Sequence, residues 1–185
     1  MPGRRPVELA TIVPLLPVPM PEIEALLDRA FGAERRARTA YRLRERATAI
    51  ETLSFAAYAG EQLVGSLQSW PVALRDAEGG LARLVMVGPV AVLPERQGAG
   101  IGTALMEACT SAADRDGISA LMMIGDPDYY RRFGFSAEAT GAWQIDGPYE
   151  QHRLLARVRG PVPAVGTLLP WAAVTAADSG AAIAA

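Results

Sequence analysis

Cysteine and histidine are nearly absent from this chain of 185 residues, and their scarcity excludes several kinds of site. The single cysteine, Cys109, can form neither a disulfide within the chain nor a cysteine pair that holds a metal. Because His152 is the one histidine, a zinc site would need carboxylates, and these show no spacing typical of metal ligands. We therefore expect no metal cofactor. A lone cysteine also indicates a reducing compartment, most simply the cytoplasm.

Long apolar runs and a strong net charge are also lacking. No run approaches the ~18 apolar residues that a membrane span requires. The apolar stretch that ends at Met20 resembles a signal peptide, but Pro14, Pro17 and Pro19 would break its helix. The net charge of -2 argues against a protein held mainly by nucleic-acid phosphates. We expect neither a membrane nor a nucleic acid as a partner.

The residues that are present suit one globular domain. Half of them are hydrophobic, which is enough to bury a sizeable core. We expect a single domain over residues 1–185, with its core at about residues 7–160. The remaining residues, 161–185, form a C-terminal extension whose alanine-rich end is expected to fray.

Apolar periodicity along the chain alternates between that of helices and that of strands, which predicts an α/β fold with a mixed sheet. The nearly continuous apolar run at 84–93 predicts a strand covered on both faces. Gly88-Pro89 interrupts this run, and because proline cannot donate to a sheet ladder we expect a bulge there. The other predicted elements are helices over 22–31, 34–48 and 101–112, a hairpin of 52–59 and 63–72, and strands over 119–124 and 151–158.

A glycine-rich turn connects the buried strand to the helix that follows, with alternating Gly98, Gly100 and Gly102. Glycines let backbone amides approach an oxyanion closely, and a helix N-terminus adds partial positive charge, so the turn is typical of a pyrophosphate cradle. The alternative is a turn that only changes the direction of the chain. The spacing differs from the Gly-x-Gly-x-x-Gly of dinucleotide folds, and no Gly-Lys-Ser/Thr follows, which excludes a nucleotide triphosphatase loop.

Two ordered motifs resemble those of the GNAT superfamily of N-acetyltransferases. Gln97, Gly100 and Gly102 match its Gln/Arg-x-x-Gly-x-Gly/Ala motif. The sequence at 92–95 matches the Val-x-Pro-Glu that usually ends the family's fourth strand. The second motif, Tyr-x-x-x-Gly-Phe, is matched at 130–135. Because both motifs occur in the family's order, we identify the chain as similar to this superfamily.

The sequences at 125–130 and 147–150 look like the YhbS-like branch in particular, and the resemblance covers roughly residues 7–160. It implies a GNAT-like α/β fold, whose mixed, mostly antiparallel central sheet has a bulged, splayed fourth strand and is flanked by helices. It also implies transfer of an acetyl group from acetyl-CoA to a primary amine by direct attack in a ternary complex. The acceptor, a small molecule or a peptide, is not identified by the sequence.

The resemblance also implies roles for individual residues. Backbone groups of Val90 and Val92 would bind the pantetheine arm of acetyl-CoA beside the bulge, and an amide near Val90 could polarise the thioester carbonyl. Tyr130 would be the general acid that protonates the departing thiolate, since a phenol keeps its proton at pH 7. Backbone amides would hold the pyrophosphate, namely those of Gln97, Gly98, Ala99, Gly100, Ile101, Gly102 and Thr103.

Some positions depart from the family's pattern. Arg96 stands where an aromatic residue is usual and Ala99 where a long polar residue is common, so side-chain contacts to phosphate are expected to differ. Asp126, followed by Pro127, has the pattern of a helix N-cap. We therefore interpret Asp126 as a cap rather than as a cofactor ligand.

Six arginines lie between residues 35 and 46. On a single helix over 34–48, four of them share one face, which predicts a solvated face or, alternatively, attraction of CoA phosphates or an acidic acceptor. These four are Arg35, Arg38, Arg42 and Arg46. Arg44 projects instead among apolar residues, where it must meet a carboxylate, a carbonyl or the cleft. We predict that Arg44 lines the acceptor pocket.

Several alternatives stay open at the level of sequence. A non-catalytic module that senses acyl-CoA would use the same glycine-rich turn. Cys109 is interpreted as core filler rather than as an acyl carrier. The segment 168–171 could contact a second copy in a homodimer or pack within its own subunit. Besides water, the candidates for the base that deprotonates the amine are Glu45, Glu51, Glu150 and His152.

Overall fold

Eight strands form one mixed sheet within residues 10–174, the part of the chain that the structure, a computed structural model, describes. The strands are β1 (Thr11–Pro14), β2 (Phe55–Ala59), β3 (Gln62–Arg75), β4 (Leu81–Val92), β5 (Ala120–Ile124), β6 (Ala142–Ile145), β7 (Leu154–Val158) and β8 (Val165–Pro170). Along the main path their order is β1-β2-β3-β4-β5-β7, and β8 pairs with both β3 and β6. The β4–β5 and β6–β8 pairs are parallel and the others are antiparallel.

Helices connect these strands. The α-helices are α1 (Met20–Phe31), α2 (Thr39–Leu43), α3 (Ile101–Arg115) and α4 (Pro127–Tyr130). Short 3₁₀ segments lie at Ala33–Ala37, Glu51–Leu53, Pro94–Arg96, Arg131–Phe133 and Gln151–Arg153. Parallel strands need a crossover connection, and α3 supplies the one between β4 and β5. Within residues 10–174, no helix is long and apolar enough to cross a membrane.

The mixed, mostly antiparallel sheet with flanking helices confirms the predicted fold class. Its core has two parts. In the larger one, side chains of α1 and α3 such as Leu27 and Leu105 are buried with residues of the sheet. In the second, Trp143 of β6 and Leu168 of β8 are buried with residues of β3, β4 and β5. The core therefore fixes β3 and β4, the strands on which the candidate site is built.

The fourth strand carries the predicted bulge. The register shifts around Gln68 of β3, so that this one residue opposes both residues of Gly88-Pro89. On its other edge, β4 pairs with β5 up to Met86, and the pairing does not continue past the bulge. The edge of β4 over residues 90–92 is therefore open toward β5, which is the splay that the family resemblance implies.

The predicted single helix over 34–48 is wrong. The segment instead contains the 3₁₀ turn Ala33–Ala37 and the short α2, separated by Arg38 in an extended conformation. Because this break changes the phase of the side chains, Arg35, Arg38, Arg42 and Arg46 do not share one solvated face. Arg35 is buried, and its guanidinium pairs with carboxylates of α1. These ion pairs join the segment to α1, a contact that the local periodicity of the sequence does not show.

Two strands, β6 and β8, were not predicted from the sequence. β8 lies in the segment interpreted as a C-terminal extension, yet it continues the sheet along β3 through the pairing of Val72 with Pro170. Leu168 is buried within its own subunit, so the apolar character of 168–171 has an explanation inside one chain. The expected fraying of the C-terminal end falls on residues outside the described range.

The remaining element predictions differ from the structure mainly at their ends. The hairpin is present as β2 and β3, although its first strand begins later because residues 51–53 form a 3₁₀ turn. The strand predicted over 151–158 also begins with such a turn, at Gln151–Arg153. Helix α3 begins at Ile101 as the glycine-rich turn predicts.

Candidate functional site

A groove of about 420 Å³ lies beside the open edge of β4. It brings together many of the residues that the sequence analysis singled out: Val90, Val92, Gln97, Gly98, Gly100, Ile101, Gly102, Thr103 and Tyr130. Ala99 and Arg44 do not line it. The groove thus joins the end of β4 and the glycine-rich turn that follows it to α4, which comes about 25 residues later in the chain.

The turn between β4 and α3 presents backbone N–H groups to the groove. Gly98 and Gly100 have φ values of +80° and +79°, in the left-handed region that favours glycine. Within the described residues, no atom lies within 4 Å of where a Cβ would stand on either glycine, so the backbone there is uncovered. No side chain caps α3, whose first N–H groups are free to bind an anion.

Two amides of the predicted cradle donate hydrogen bonds to carbonyl groups within the turn itself. The Gln97 N–H donates to the Pro94 carbonyl at 3.3 Å, and the Ala99 N–H donates to the Arg96 carbonyl at 3.4 Å. The amides that remain for an anion are therefore those of Gly98, Gly100 and the first turn of α3. The unused amides within the turn are thus those of the two glycines with a positive φ, Gly98 and Gly100.

Tyr130 lies at the other end of the groove, on the short helix α4. Asp126 caps this helix as the sequence indicates, since its Oδ1 accepts a hydrogen bond from the Asp128 N–H at 3.0 Å. The ring of Tyr130 packs so closely over Gly125 that a Cβ there would stand 2.6 Å from Cε2 of the ring. The ring of Phe135, with its centroid 6.4 Å away, supports it edge-on. The phenol is thus held by its backbone and by its neighbours.

The environment of Tyr130 keeps its hydroxyl protonated. Burial raises the pKa of Tyr130 to about 12, and the negative charges that Tyr129 and Asp126 can carry act in the same direction. Within residues 10–174 the hydroxyl has no hydrogen-bond partner, so its proton is free for a ligand in the groove. A neutral phenol with an unused proton can act as a general acid.

Sequence reasoning missed several residues that line the groove. The Tyr129 hydroxyl stands 2.9 Å from where a Cβ of Gly102 would be, so it closes the groove against the turn. Arg132 lies over the Tyr129 ring at 4.8 Å from its centroid and also lines the groove. The adjacent tyrosines of the motif gave no signal as to which one faces the turn.

An ion pair brings the end of α1 to the same place. Arg29 Nη2 lies 2.6 Å from Glu95 Oε1 in the segment after β4. The following residues of α1, Ala30 and Phe31, line the groove. Both partners of this pair are about half exposed, so it is expected to orient α1 more than to stabilise the fold.

A second depression of about 380 Å³ shares Thr103 and Arg132 with the groove and is also basic. Arg157 and Arg159 lie there. Arg157 is buried and makes two hydrogen bonds to the carboxylate of Asp114, at 2.8 and 2.7 Å, while its Nε has no partner within the described residues. Glu107 also lines this depression, and Asp114 pairs with both Arg157 and Arg159, so its positive charge is partly balanced.

Arg44 lies outside the groove, at the bulge of β4. Its guanidinium carbon is 3.6 Å from the centroid of the Tyr41 ring and 4.8 Å from that of Trp70. Its Nη1 donates to Gln68 Oε1 at 3.3 Å. Trp70 in turn donates from Nε1 to the Gly88 carbonyl at 2.9 Å. Arg44 thus contacts the residues that frame the bulge.

None of the predicted base candidates lines the groove. They are all exposed: Glu45, Glu51, Glu150 and His152. Cys109 is buried on α3, with its Sγ 3.7 Å from Ser69 Oγ, and burial raises the pKa of this thiol to about 11. A buried, protonated thiol outside the groove supports the interpretation of Cys109 as core filler. Among residues 10–174, no group of three or more His, Cys, Asp or Glu side chains could hold a metal ion.

Comparisons with known proteins identify the family of this chain. A family model described as an acetyltransferase (GNAT) domain matches residues 17–137. The uncharacterized N-acetyltransferase YhbS of Escherichia coli K12 is 32% identical over 145 residues, which cover 75% of this chain and 84% of YhbS.

Two solved structures extend the likeness to the whole fold. The crystal structure of E. coli YhbS in complex with CoA matches with a TM-score of 0.71 and 25% identity, covering 94% of this chain and 96% of that chain. A GNAT acetyltransferase from Brucella melitensis in complex with acetyl-CoA matches with a TM-score of 0.66 and 26% identity, covering 90% and 99%. The resemblance to the GNAT superfamily is thus confirmed, and the chain belongs to the GNAT family of N-acetyltransferases.

Proposed function

We propose that this protein transfers an acetyl group from acetyl-CoA to a primary amine by direct attack in a ternary complex. The observation that carries the proposal is the single groove in which an anion-binding turn and the protonated Tyr130 face the same open strand edge. The relatives from E. coli and B. melitensis were solved with CoA and with acetyl-CoA, which supports this choice of co-substrate. The cytoplasmic location and a homodimer stay predictions.

The open edge of β4 suits the pantetheine arm. Past Met86, no strand among residues 10–174 pairs with β4 on the β5 side, so backbone groups of Val90 and Val92 are available to the amides of pantetheine. An extended chain that hydrogen-bonds to such an edge is bound much as an added strand would be. The pyrophosphate of CoA would then reach the N–H groups of Gly98, Gly100 and the first turn of α3. The phosphate on the ribose of CoA would reach the arginines of the second depression.

The chemistry needs an acid, an oxyanion donor and a path for one proton. The amine nitrogen attacks the thioester carbonyl carbon, and an amide near Val90 would stabilise the oxygen as it becomes negative. The carbon–sulfur bond then breaks, and the sulfur takes the proton of Tyr130. The amine proton leaves to water in this proposal; the candidates Glu45, Glu51, Glu150 and His152 are exposed and do not line the co-substrate groove. Returning a proton from water to Tyr130 closes the cycle.

Replacing Tyr130 with phenylalanine tests this proposal. Tyr130→Phe keeps the ring over Gly125 and removes the acid, so we expect kcat to fall roughly 100-fold with no change in the Kd of CoA. Release of CoA thiol would be measured over a panel of primary amines, and CoA binding by calorimetry. Tyr58→Phe is the matched control, since Tyr58 lies on β2 and does not line the groove.

Two results would contradict the proposal. Equal kcat in wild type and Tyr130→Phe would remove Tyr130 from the chemistry. Tight binding of acetyl-CoA without thiol release for any amine would favour the alternative, a non-catalytic module that senses acyl-CoA.

A further inference from the structure

Arg44 is placed at the acceptor side of the proposed reaction. Side chains two apart on a strand share a face, so Gln68 and Trp70 of β3 project together beside the bulge. Arg44 contacts both of them, and Trp70 is hydrogen-bonded to Gly88 of β4. Val90, which lines the groove, is two residues from Gly88. A molecule approaching the bulge from this face would meet Arg44 close to the strand edge that receives the co-substrate.

The charge of Arg44 is not balanced by a carboxylate. Within residues 10–174, no Asp or Glu oxygen lies within 4 Å of its guanidinium, although the side chain is half-buried. Its hydrogen bond to Gln68 is to a neutral amide. Glu24 acts on it through space, but that carboxylate is itself held by Arg35 and Arg36.

The other buried arginines among the described residues are paired with carboxylates. Arg35 pairs with Glu24 and Asp28, and Arg157 makes two hydrogen bonds to Asp114. A buried cation is stable when a carboxylate accompanies it. Arg44 is half-buried without one, which leaves its positive charge for a ligand to balance.

The guanidinium is also rigidly held with most of its donors unused. Its Cζ lies 3.6 Å from the centroid of the Tyr41 ring and 4.8 Å from that of Trp70, so two aromatic rings contact the guanidinium. Tyr41 is fixed in turn by a hydrogen bond that its hydroxyl accepts from Arg35. Stacking uses the faces and leaves the N–H groups at the edge, which match a carboxylate through two parallel hydrogen bonds.

We infer that the acceptor amine carries a carboxylate, which binds the edge of the Arg44 guanidinium between Tyr41 and Trp70. This inference rests on the proposed acetyl transfer and narrows its acceptor to amino acids in the broad sense. Arg44 sets specificity and takes no part in the chemical step.

Matched acceptors test the inference without altering the protein. Wild-type enzyme with acetyl-CoA is given α- and ω-amino acids, each beside its amide and, where one exists, its phosphonate analogue. We expect kcat/KM for accepted amino acids to exceed that of their amides about 10- to 100-fold, as a charged hydrogen bond would give. Amides or phosphonates accepted as well as carboxylates would overturn the inference.

Variants then assign the preference to Arg44. Arg44→Gln is expected to raise KM for the carboxylate acceptor about 10- to 100-fold with little change for its amide, so that the preference disappears. Arg44→Lys keeps the charge but loses the planar edge, and it should recover only part of the preference. Arg42→Gln is the control, since Arg42 lies two residues away with an exposed side chain. A preference that persists in both Arg44 variants would overturn the assignment.

The two proposals fail in distinguishable ways. If Tyr130→Phe behaves as expected but amines that lack a carboxylate are acetylated as well as their carboxylate counterparts, acetyl transfer stands and the inference about Arg44 is wrong. If no amine is acetylated although acetyl-CoA binds, both are wrong.

Discussion

At the scale of single residues, the burial and the ion pairs of arginine hold neighbouring elements together. Arg35 is fully buried, and burial alone would lower the pKa of its guanidinium, but hydrogen bonds with Glu24, Tyr41 and Asp28 outweigh that effect and raise it. The same contacts lower the pKa of Asp28, chiefly through its hydrogen bond with Arg35. The buried guanidinium thus joins α1 to the arginine-rich segment that follows.

Replacing Arg35 should destabilise the fold. Arg35→Met removes the buried cation and leaves Glu24 and Asp28 paired only with the half-exposed Arg36. We expect the free energy of unfolding to fall by about 1–2 kcal/mol, less than for a fully buried pair because the carboxylates are partly exposed and one cation remains. Urea denaturation at pH 7 measures it. Arg36→Met is the matched control, because its side chain is half exposed and its loss should cost under about 0.5 kcal/mol.

The lowered pKa of Asp28 allows a second test of the Arg35 ion pair, through the pH dependence of stability. Because the pKa of Asp28 is lower in the folded than in the unfolded state, its contribution is complete above pH ~4 and is lost as the pH falls below that value. Wild type should therefore lose stability between about pH 4 and pH 2 more steeply than Arg35→Met. Equal acid sensitivity of the two proteins would contradict the role given to this ion pair.

At the scale of elements, Tyr130 of the short helix α4 is positioned by the close contact of its ring with Gly125, which follows strand β5. Gly125 directly follows the strand, and the Tyr130 ring lies against it in the space that a side chain would fill. The ring is rigid and cannot yield as a flexible side chain would.

Gly125→Ala should therefore affect the reaction more than binding. The added Cβ would stand 2.6 Å from the Tyr130 ring and must displace it, so we expect kcat to fall roughly 10- to 100-fold with the Kd of CoA little changed. Steady-state kinetics and calorimetry separate these quantities. Gly141→Ala serves as the control, since no described atom lies within 4 Å of its Cβ position. An unchanged kcat in Gly125→Ala would mean that the ring position is not critical.

The elements that could be predicted from sequence are those whose signals are local. The bulge follows from Gly88-Pro89 within an apolar run, and the start of α3 follows from the glycines before it. The segment 34–48 could not be predicted in this way, because the burial of Arg35 depends on carboxylates of another helix. β6 and β8 were missed because they are short and pair with distant strands.

The same distinction applies to the candidate site. Tyr130 was found through its motif, whereas Tyr129 and Arg132 enter the groove only through the turn of α4 and its neighbours. That Arg44 lines the acceptor pocket stays a prediction, and its contacts with the Tyr41 and Trp70 rings could not be inferred from a helical pattern that does not exist in the fold. Local sequence therefore indicates which reaction the groove supports better than it indicates which residues line the groove.

At the scale of the whole molecule, ligand binding should appear as added thermal stability. Acetyl-CoA or CoA at 100 times its Kd contributes ~2.7 kcal/mol, which should raise the unfolding midpoint by roughly 5–10 °C for a domain of this size. NADH, NADPH and ATP are run in parallel and should give no shift. A shift with these nucleotides alone would mean that the glycine-rich turn serves another ligand.

The pairing of β8 with β3 has a consequence for any attempt to shorten the chain. β2 covers the first half of the outer edge of β3, and β8 covers its last residues, Val72–Arg75. The fit is tight, since a Cβ on Gly166 would stand 2.6 Å from the Arg75 carbonyl oxygen. A chain that stopped at residue 160 would bare this backbone edge together with the apolar surface under Leu168. Uncovered strands of that kind recruit strands from other molecules, so the trimmed protein would aggregate.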